Sequence, residues 1–249
     1  MIELDHIYNM DCLEGMKQIS DGVIDLIVCD PPYLIGNKGG GFWSESSEGN
    51  HYNARGTRQG MKKLDDIKDG ISEDVLDEMC RVMSKVNIYI FCSKNQIQPY
   101  LDYFVSRKGC NWNILTWHKT NPIPACGNKY LNDTEYILFF REKGVKLFGT
   151  YQTKRTYYTT LRNQQENIRY GHPTVKPCQI IQNFIVNSSQ EGGVILDPYI
   201  GSGTTAVAAM RENRYFIGFE INEEYYEKSL KRIEEQRLTI EHYSLNIEE

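Results

Sequence analysis

The sequence contains no apolar stretch long enough to cross a bilayer, so a membrane-spanning helix is not the basis of its function. It also lacks any regular cysteine pattern. Cys12, Cys29, Cys80, Cys92, Cys110, Cys126 and Cys178 are scattered, odd in number and never spaced as a zinc clip, so reduced thiols are expected, without a disulfide framework or a metal. Cys29 and Cys92 stand in apolar runs and read as core residues. No internal repeat is present. The start, Met1-Ile2-Glu3-Leu4-Asp5, has neither the basic flank nor the apolar run of a signal peptide, and a cytoplasmic location is expected, with no membrane contact. What remains is 249 residues with 40% hydrophobic content, enough for one sizeable core and an extended loop system within a single domain, 1–249.

Two stretches carry chemistry. The apolar run Asp25-Leu26-Ile27-Val28 leads into Cys29-Asp30-Pro31-Pro32-Tyr33, which delivers a carboxylate, two rigid carbonyls and an aromatic ring at the end of an expected strand. Proline has no N–H and a fixed φ, so the Pro31 and Pro32 carbonyls read as free acceptors; Asp30 adds a charged acceptor and Tyr33 a stacking face. Such a set suits a planar amino group. Far downstream, Val194-Ile195-Leu196-Asp197-Pro198-Tyr199-Ile200 runs into Gly201-Ser202-Gly203-Thr204-Thr205 and the helix-forming Ala206-Val207-Ala208-Ala209-Met210. Glycines there permit a tight turn and close approach to a ligand at the carboxyl end of a strand in a doubly wound sheet. A P-loop would need Lys after the last glycine, and Thr204 stands there. The strand Tyr215-Phe216-Ile217-Gly218-Phe219 ends in Glu220, which can hold the two hydroxyls of a ribose. These features together imply a nucleoside ligand without a required polyphosphate.

These stretches resemble the β-class DNA amino-methyltransferases, which methylate exocyclic amino nitrogens with S-adenosylmethionine. The resemblance runs from Ile7 to about Arg237. It includes Asn9-Met10-Asp11-Cys12-Leu13-Glu14, Asp30-Pro31-Pro32-Tyr33, Trp117-His118-Lys119-Thr120-Asn121, Glu135-Tyr136-Ile137-Leu138, His172-Pro173-Thr174-Val175-Lys176-Pro177, and the Asp197 to Thr205 turn with Glu220. The catalytic motif precedes the cofactor turn, the circularly permuted order of that class. The fold implied is a Rossmann-like methyltransferase sheet, α/β and mostly parallel, with an antiparallel edge hairpin. Asp30, Pro31, Pro32 and Tyr33 are implied as catalytic. Asp197 and the Gly201, Ser202, Gly203, Thr204 and Thr205 turn are implied to meet the methionine and sugar region, with Glu220 on the ribose and Asp11 with Cys12 at the adenine edge. His172, Thr174 and Lys176 are implied at the methionine end, and Asp30 also borders the cofactor. Lys176 could instead cap the following helix or meet a DNA phosphate, and Asp11 could be only a hydrogen-bonding cap.

Asp at position 30 favours adenine in this family, where cytosine enzymes usually carry Ser. The resemblance therefore implies transfer of methyl to N6 of a flipped-out adenine in double-stranded DNA. N4-cytosine methylation, RNA amino-methylation and a non-catalytic DNA-binding relic are the alternatives. A homodimer and a restriction endonuclease partner are left open. Asp30 accepting one N–H and the Pro31 carbonyl the other would turn the amine lone pair towards the sulfonium methyl, with Asp30 acting as an electrostatic partner more than a strong base.

The net charge of −5 is unevenly divided. Residues 141–176 carry eight Lys and Arg (Arg141, Lys143, Lys146, Lys154, Arg155, Arg162, Arg169, Lys176) against Glu142 and Glu166, with Tyr151, Tyr157, Tyr158 and Tyr170 interleaved. A short basic target-recognition segment, 141–171, is expected there, or else only a solvated surface. Leu34 to Met61 holds seven glycines in 28 residues without apolar period, and reads as a DNA-contacting loop or a surface insertion. Lys38, Arg55 and Arg58 could reach phosphates there, and Phe42 or Trp43 could fill the space of an extruded base. Elsewhere the pattern predicts helices from Ser72 to about Met83, over about Gln96–Ser106, and from Pro177 to Asn187. Strands are expected over Asn87–Phe91, Trp112–Trp117 and Glu135–Phe140, and Asn222 caps a last long helix.

Overall fold

The computed structural model describes residues 2–32, 71–124, 127–128, 130–162, 169 and 175–245. One eight-stranded sheet organises them. In chain order its strands are β1 (His6–Tyr8), β2 (Leu26–Cys29), β3 (Asn87–Cys92), β4 (Asn111–Lys119), β5 (Thr134–Arg141), β6 (Tyr157–Thr160), β7 (Val194–Asp197) and β8 (Tyr215–Phe219). Their spatial order is β1-β8-β7-β2-β3-β5-β4-β6. The first five in that order are parallel; β5 runs antiparallel to both β3 and β4. The antiparallel hairpin is thus β4 and β5, and β6 extends the sheet beyond it, parallel to β4.

Alternation along the strands produces a core on each face, because successive side chains point to opposite sides of a sheet. Ile27 and Cys29, Ile88 and Ile90, and Leu138 and Phe140 face α1 (Cys12–Met16), α2 (Glu73–Val82) and α3 (Ile97–Leu101), the last continued by a π-helical turn, Asp102–Arg107. Leu26 and Val28, Tyr89 and Phe91, and Ile137 and Phe139 face α4 (Cys178–Ser188), α5 (Thr204–Arg211) and α6 (Glu223–Leu245). Every residue of β3 is buried, as a central strand covered on both faces requires.

The helices follow their sequence signals. Ser72 stands at the N-cap of α2, which buries Val75, Leu76 and Met79. Pro99 occupies the first turn of α3, where its missing N–H leaves no helical bond unmade. Pro177 precedes α4, whose Ile180, Ile181, Phe184 and Ile185 are buried, and Asn222 accepts the Tyr225 N–H (3.2 Å) at the head of α6. Strand β6 was not expected. Its Tyr158, one of the tyrosines interleaved in the basic segment, packs edge-on against Phe184, ring centroids 5.7 Å apart. Cys29 and Cys92 are buried, and no cluster of metal-ligating side chains occurs among the described residues.

The connection from β2 to β3 carries α2 on one face, whereas that from β7 to β8 carries α5 on the other. The order in which successive strands are added across the sheet therefore reverses between β2 and β7, adjacent parallel strands paired Leu26 to Ile195 and Ile27 to Leu196. A ligand crevice belongs outside the carboxyl ends of two strands at such a switch.

Candidate active site

Four acids mark this carboxyl edge, one after each of four neighbouring parallel strands: Asp11 after β1, Glu220 after β8, Asp197 ending β7 and Asp30 after β2. Each is held differently. Asp11 caps α1, its Oδ1 accepting the Leu13 N–H at 2.9 Å and the Glu14 N–H at 3.3 Å. The capping alternative for Asp11 is thus realised, and it fixes the turn beside Glu220, which is joined to the same strand through Glu220 N–H donating to Tyr8 O (3.1 Å). Cys12 is buried and bonded to the Tyr199 hydroxyl, and burial pushes its thiol up to about 11, so it stays neutral.

Glu220 accepts the Gly201 N–H through Oε2 (3.0 Å) and the Asn222 N–H through Oε1 (2.8 Å). Burial raises its pKa while these amide bonds oppose the shift. Each oxygen retains acceptor capacity at the crevice, as ribose binding requires. The glycine turn needs its glycines: Gly201 has φ of 49° and Gly203, N-cap of α5, has φ of 77°. An added Cβ on Gly203 would also meet Ser229 at 3.2 Å. The side chains of this turn point inward. Arg232 of α6, itself buried, donates through Nη1 to Ser202 O (3.0 Å), Ser202 Oγ (3.3 Å) and Thr204 Oγ1 (2.8 Å). Thr205 donates to Asp197 Oδ2 at 2.5 Å, and Asp197 Oδ1 accepts the Tyr199 N–H at 3.0 Å. Ser202, Thr204 and Thr205 therefore shape the turn with their side chains and leave its backbone to face a ligand. Burial pushes the Asp197 carboxyl up to about 7, the hydrogen bonds from Thr205 and Tyr199 opposing and the charges of Asp30 and Glu220 assisting.

Asp30 has a cation beside it. Lys176 Nζ lies 2.6 Å from Asp30 Oδ2 and 3.2 Å from Glu135 Oε2, while Lys119 Nζ lies 2.6 Å from Glu135 Oε1. About a quarter of the Asp30 side chain, 24%, remains exposed against 8% of Lys176. Lys176, expected at the methionine end and also counted in the basic segment, is thus sequestered against the Asp30 carboxylate. The second proline carbonyl also differs from expectation. Pro32 O is not free but accepts from Gln96 Nε2 at 3.1 Å, and Gln96 Oε1 accepts the Ser93 N–H and Ser93 Oγ, both at 3.0 Å. This buried glutamine pins the second proline to the end of β3. Tyr33, His172 and Thr174 lie outside the described residues, as does the Leu34 to Met61 loop with Lys38, Phe42, Trp43, Arg55 and Arg58.

The basic segment divides between the two edges of the sheet. Arg141 ends the antiparallel strand β5 and pairs with Asn87 and Asn111, the first residues of β3 and β4. Arg141, Lys143 and Lys146 therefore sit near the edge opposite Asp30, whereas the end of β6 pairs with the end of β4, at Lys119, towards the side on which Asp30 stands. Tyr151 and Tyr157 are exposed.

A catalytic turn beside a glycine turn, in this chain order and at a switch point, is what the N6/N4 DNA methylases carry. The family model N6_N4_Mtase, described as DNA methylase, matches residues 24–231. The chain belongs to this DNA methylase family. Among similar proteins, the type II methyltransferase M2.LlaDCHI of Lactococcus lactis subsp. cremoris is 29% identical over 248 residues, covering 91% of this chain and 88% of that protein. The type II methyltransferase M2.DpnII of Streptococcus pneumoniae is 28% identical over 261 residues, covering 94% and 91%. The fold is that of the M1.HpyAVI complex with SAM (TM-score 0.65, 23% identity, 92% of this chain and 98% of that one). It is also that of the cytosine-N4-specific PvuII DNA methyltransferase (TM-score 0.66, 14% identity, 92% and 86%).

Gln96 and Arg232 carry no sequence signal of a role, and Glu135 and Lys119 stand within motifs that assign them none. Gln96, just before α3, and Arg232, in the middle of α6, look like ordinary polar residues; only the tertiary fold reveals that both are buried. Lys119 and Glu135 are diagonal neighbours across β4 and β5, where Trp117 pairs with Glu135 and His118 with Thr134, a separation that long side chains bridge.

Proposed function

We propose that this DNA methylase transfers a methyl group from S-adenosylmethionine to the exocyclic N6 of an adenine extruded from duplex DNA, at a specific sequence. The observation that carries the reading is Asp30 at the switch point, partly exposed, beside a carboxyl edge that suits a cationic nucleoside. The chemistry of the donor set fits S-adenosylmethionine: Glu220 offers acceptors to ribose hydroxyls, the Gly201 to Gly203 backbone permits close approach, and the acids along the edge favour a positive ligand. The cofactor supplies an electrophilic methyl on a positively charged sulfur.

The chain's own residues then solve the amine's problem. The lone pair of an aromatic amine is delocalised into the ring, so it must be drawn out of plane to attack. Asp30 accepts one N–H, and the Pro31 carbonyl, with no competing N–H on its own residue, accepts the other. Positive charge growing on nitrogen meets the carboxylate already in place, a preorganised stabilisation that strengthens towards the transition state. The Lys176 ammonium, 2.6 Å from Oδ2, pairs with the Asp30 carboxylate, in accord with an electrostatic role. Extrusion costs a few kcal/mol, which stacking on Tyr33, about 1–3 kcal/mol, offsets.

Asp at position 30 supports adenine over cytosine. A cytoplasmic location accords with this substrate, and no described helix is long and apolar enough to cross a membrane. A homodimer and a restriction endonuclease partner belong to the same reading, as does a DNA-contacting role for 34–61 and for the part of 141–171 on the catalytic side. The test is a pair of variants: Asp30→Ala removes transfer and spares cofactor binding, whereas Glu220→Ala chiefly weakens the cofactor. Near-normal turnover in Asp30→Ala sinks the mechanism.

A further inference from the structure

The geometry points to Lys176, Glu135 and Lys119 as positioning residues for Asp30: an alternating chain of charges, drawn from the segment before α4, from β5 and from β4, that fixes the carboxylate which receives the target amine. This role rests on the reading of Asp30 as that acceptor. It goes beyond that reading because neither the chemistry of the amine nor that of the cofactor calls for Glu135 or Lys119.

The chain is short and continuous. Asp30 Oδ2, Lys176 Nζ, Glu135 Oε2 and, from the other Glu135 oxygen, Lys119 Nζ follow at 2.6, 3.2 and 2.6 Å. Lys176, Glu135 and Lys119 keep only 8%, 15% and 14% of their side chains exposed, so water screens little of the interaction. Aromatic faces complete the walls: Lys176 Nζ sits 5.1 Å from the Phe91 ring centroid and Lys119 Nζ 5.1 Å from that of Trp117. Among the described residues two negative and two positive charges alternate, and these four balance. Removal of any one member leaves a charge excess in a poorly screened place.

Lys176 is the pivot. A lone buried lysine tends to lose its proton, yet here Asp30 and Glu135 more than offset burial and hold its pKa above the ordinary 10.5. Burial likewise works to raise the Glu135 pKa, and Lys176 with Lys119 hold it below the ordinary 4.5. Among the described residues, Asp197, Cys29 and Tyr100 are further titratable neighbours of Asp30, the latter two with raised pKa values and hence neutral. Shared between two carboxylates, the ammonium orients Asp30 without neutralising it as a sole partner would. Glu135, anchored from behind by Lys119, sets how far Lys176 leans towards Asp30.

The experiment uses the full chain and four variants, Lys176→Met, Glu135→Gln, their double and Asp30→Ala. Single-turnover methylation of unmethylated duplex DNA is followed from about pH 5.5 to 9, with calorimetric Kd values for S-adenosylmethionine and thermal midpoints of the ligand-free protein. Lys176→Met leaves two carboxylates facing each other, so its rate falls at least about tenfold near pH 6.5 and recovers as pH rises, with Kd changed less than about threefold. Glu135→Gln lowers the rate without that pH-dependent recovery, because Lys176 closes onto Asp30. The double restores charge balance and regains most of the rate and midpoint lost by Lys176→Met.

A loss in Lys176→Met equal at every pH, or a double no better than that single variant, overturns the role. A Kd weakened tenfold or more with an unchanged pH profile would assign Lys176 to the methionine carboxylate and overturn it as well. Full turnover in Asp30→Ala would instead refute the acceptor reading, and the thermal midpoints would still report whether the charge chain exists.

Discussion

Adjacent parallel strands of this sheet end alike, β2 in Cys29-Asp30-Pro31-Pro32 and β7 in Leu196-Asp197-Pro198-Tyr199, yet the two aspartates have opposite employment. Asp197 is buried and spends its oxygens on Thr205 and the Tyr199 amide, so that its carboxyl holds the glycine turn in shape. Asp30, one position further along its strand's exit, remains partly exposed and meets a buried ammonium. An Asp-Pro pair at a strand end therefore specifies no role by itself. The neighbours differ: a threonine and an amide hold one carboxylate as a bracket, and a lysine pairs with the other.

The widest separation between the two turns is expected on amidation. Asp30→Asn keeps the shape and removes the charge, and should lower single-turnover transfer by about a hundredfold or more with cofactor Kd changed less than threefold. Asp197→Asn forces a donor towards Thr205 or Tyr199 N–H and should cost about 1–3 kcal/mol of stability and weaken the cofactor, with transfer following occupancy. Denaturant unfolding and calorimetry on both variants read the split, and identical behaviour would erase the distinction.

A smaller effect concerns protons. With Asp197 near 7, a cationic ligand beside it favours the ionised form, so binding S-adenosylmethionine should release a proton. Affinity should rise about tenfold from pH 6 to pH 8 and then level, with the proton seen in the buffer dependence of the calorimetric heat. The linkage for the ligand-free fold has the other sign: a carboxyl raised from 3.8 contributes most at low pH, and its contribution is lost as pH rises through about 7. In Asp197→Asn both dependences should flatten; in Asp30→Asn they should persist.

The smallest effect lies in the bracket that the catalytic turn does possess. Gln96→Leu removes the donor to Pro32 O and the acceptor for Ser93, and should lower transfer by about three- to tenfold through kcat, sparing cofactor Kd. A change in Kd instead would place Gln96 on the cofactor side of the crevice.

Much of the fold and of the site is legible in the sequence, because the deciding signals are local. Glycines with positive φ, the Pro at a helix start and the apolar run of β3 each state a backbone requirement that sequence displays directly. Burial of individual polar groups is another matter. Lys176 carries the same letter as the exposed Lys143 and Lys146, and only the sheet's topology places it against Asp30 while turning β5 so that those two fall at the opposite edge. Charge summed along the chain therefore suggested one basic patch where space contains two groups and a sequestered lysine. Gln96 and Arg232 had no sequence signal for the same reason: their partners lie 64 and about 30 residues away. Tyr158 read as a nucleic-acid contact because aromatics among cations suit either bases or a core, and the fold chose the core.

The most direct measurement is incubation of the protein with S-adenosylmethionine carrying a labelled methyl group and unmethylated duplex DNA, with RNA in parallel, followed by digestion to nucleosides and mass spectrometry. The account predicts the label on N6-methyladenine from DNA. Label on N4-methylcytosine would contradict the choice of base, and label only in RNA, or in no nucleoside despite measurable cofactor binding, would contradict the central claim.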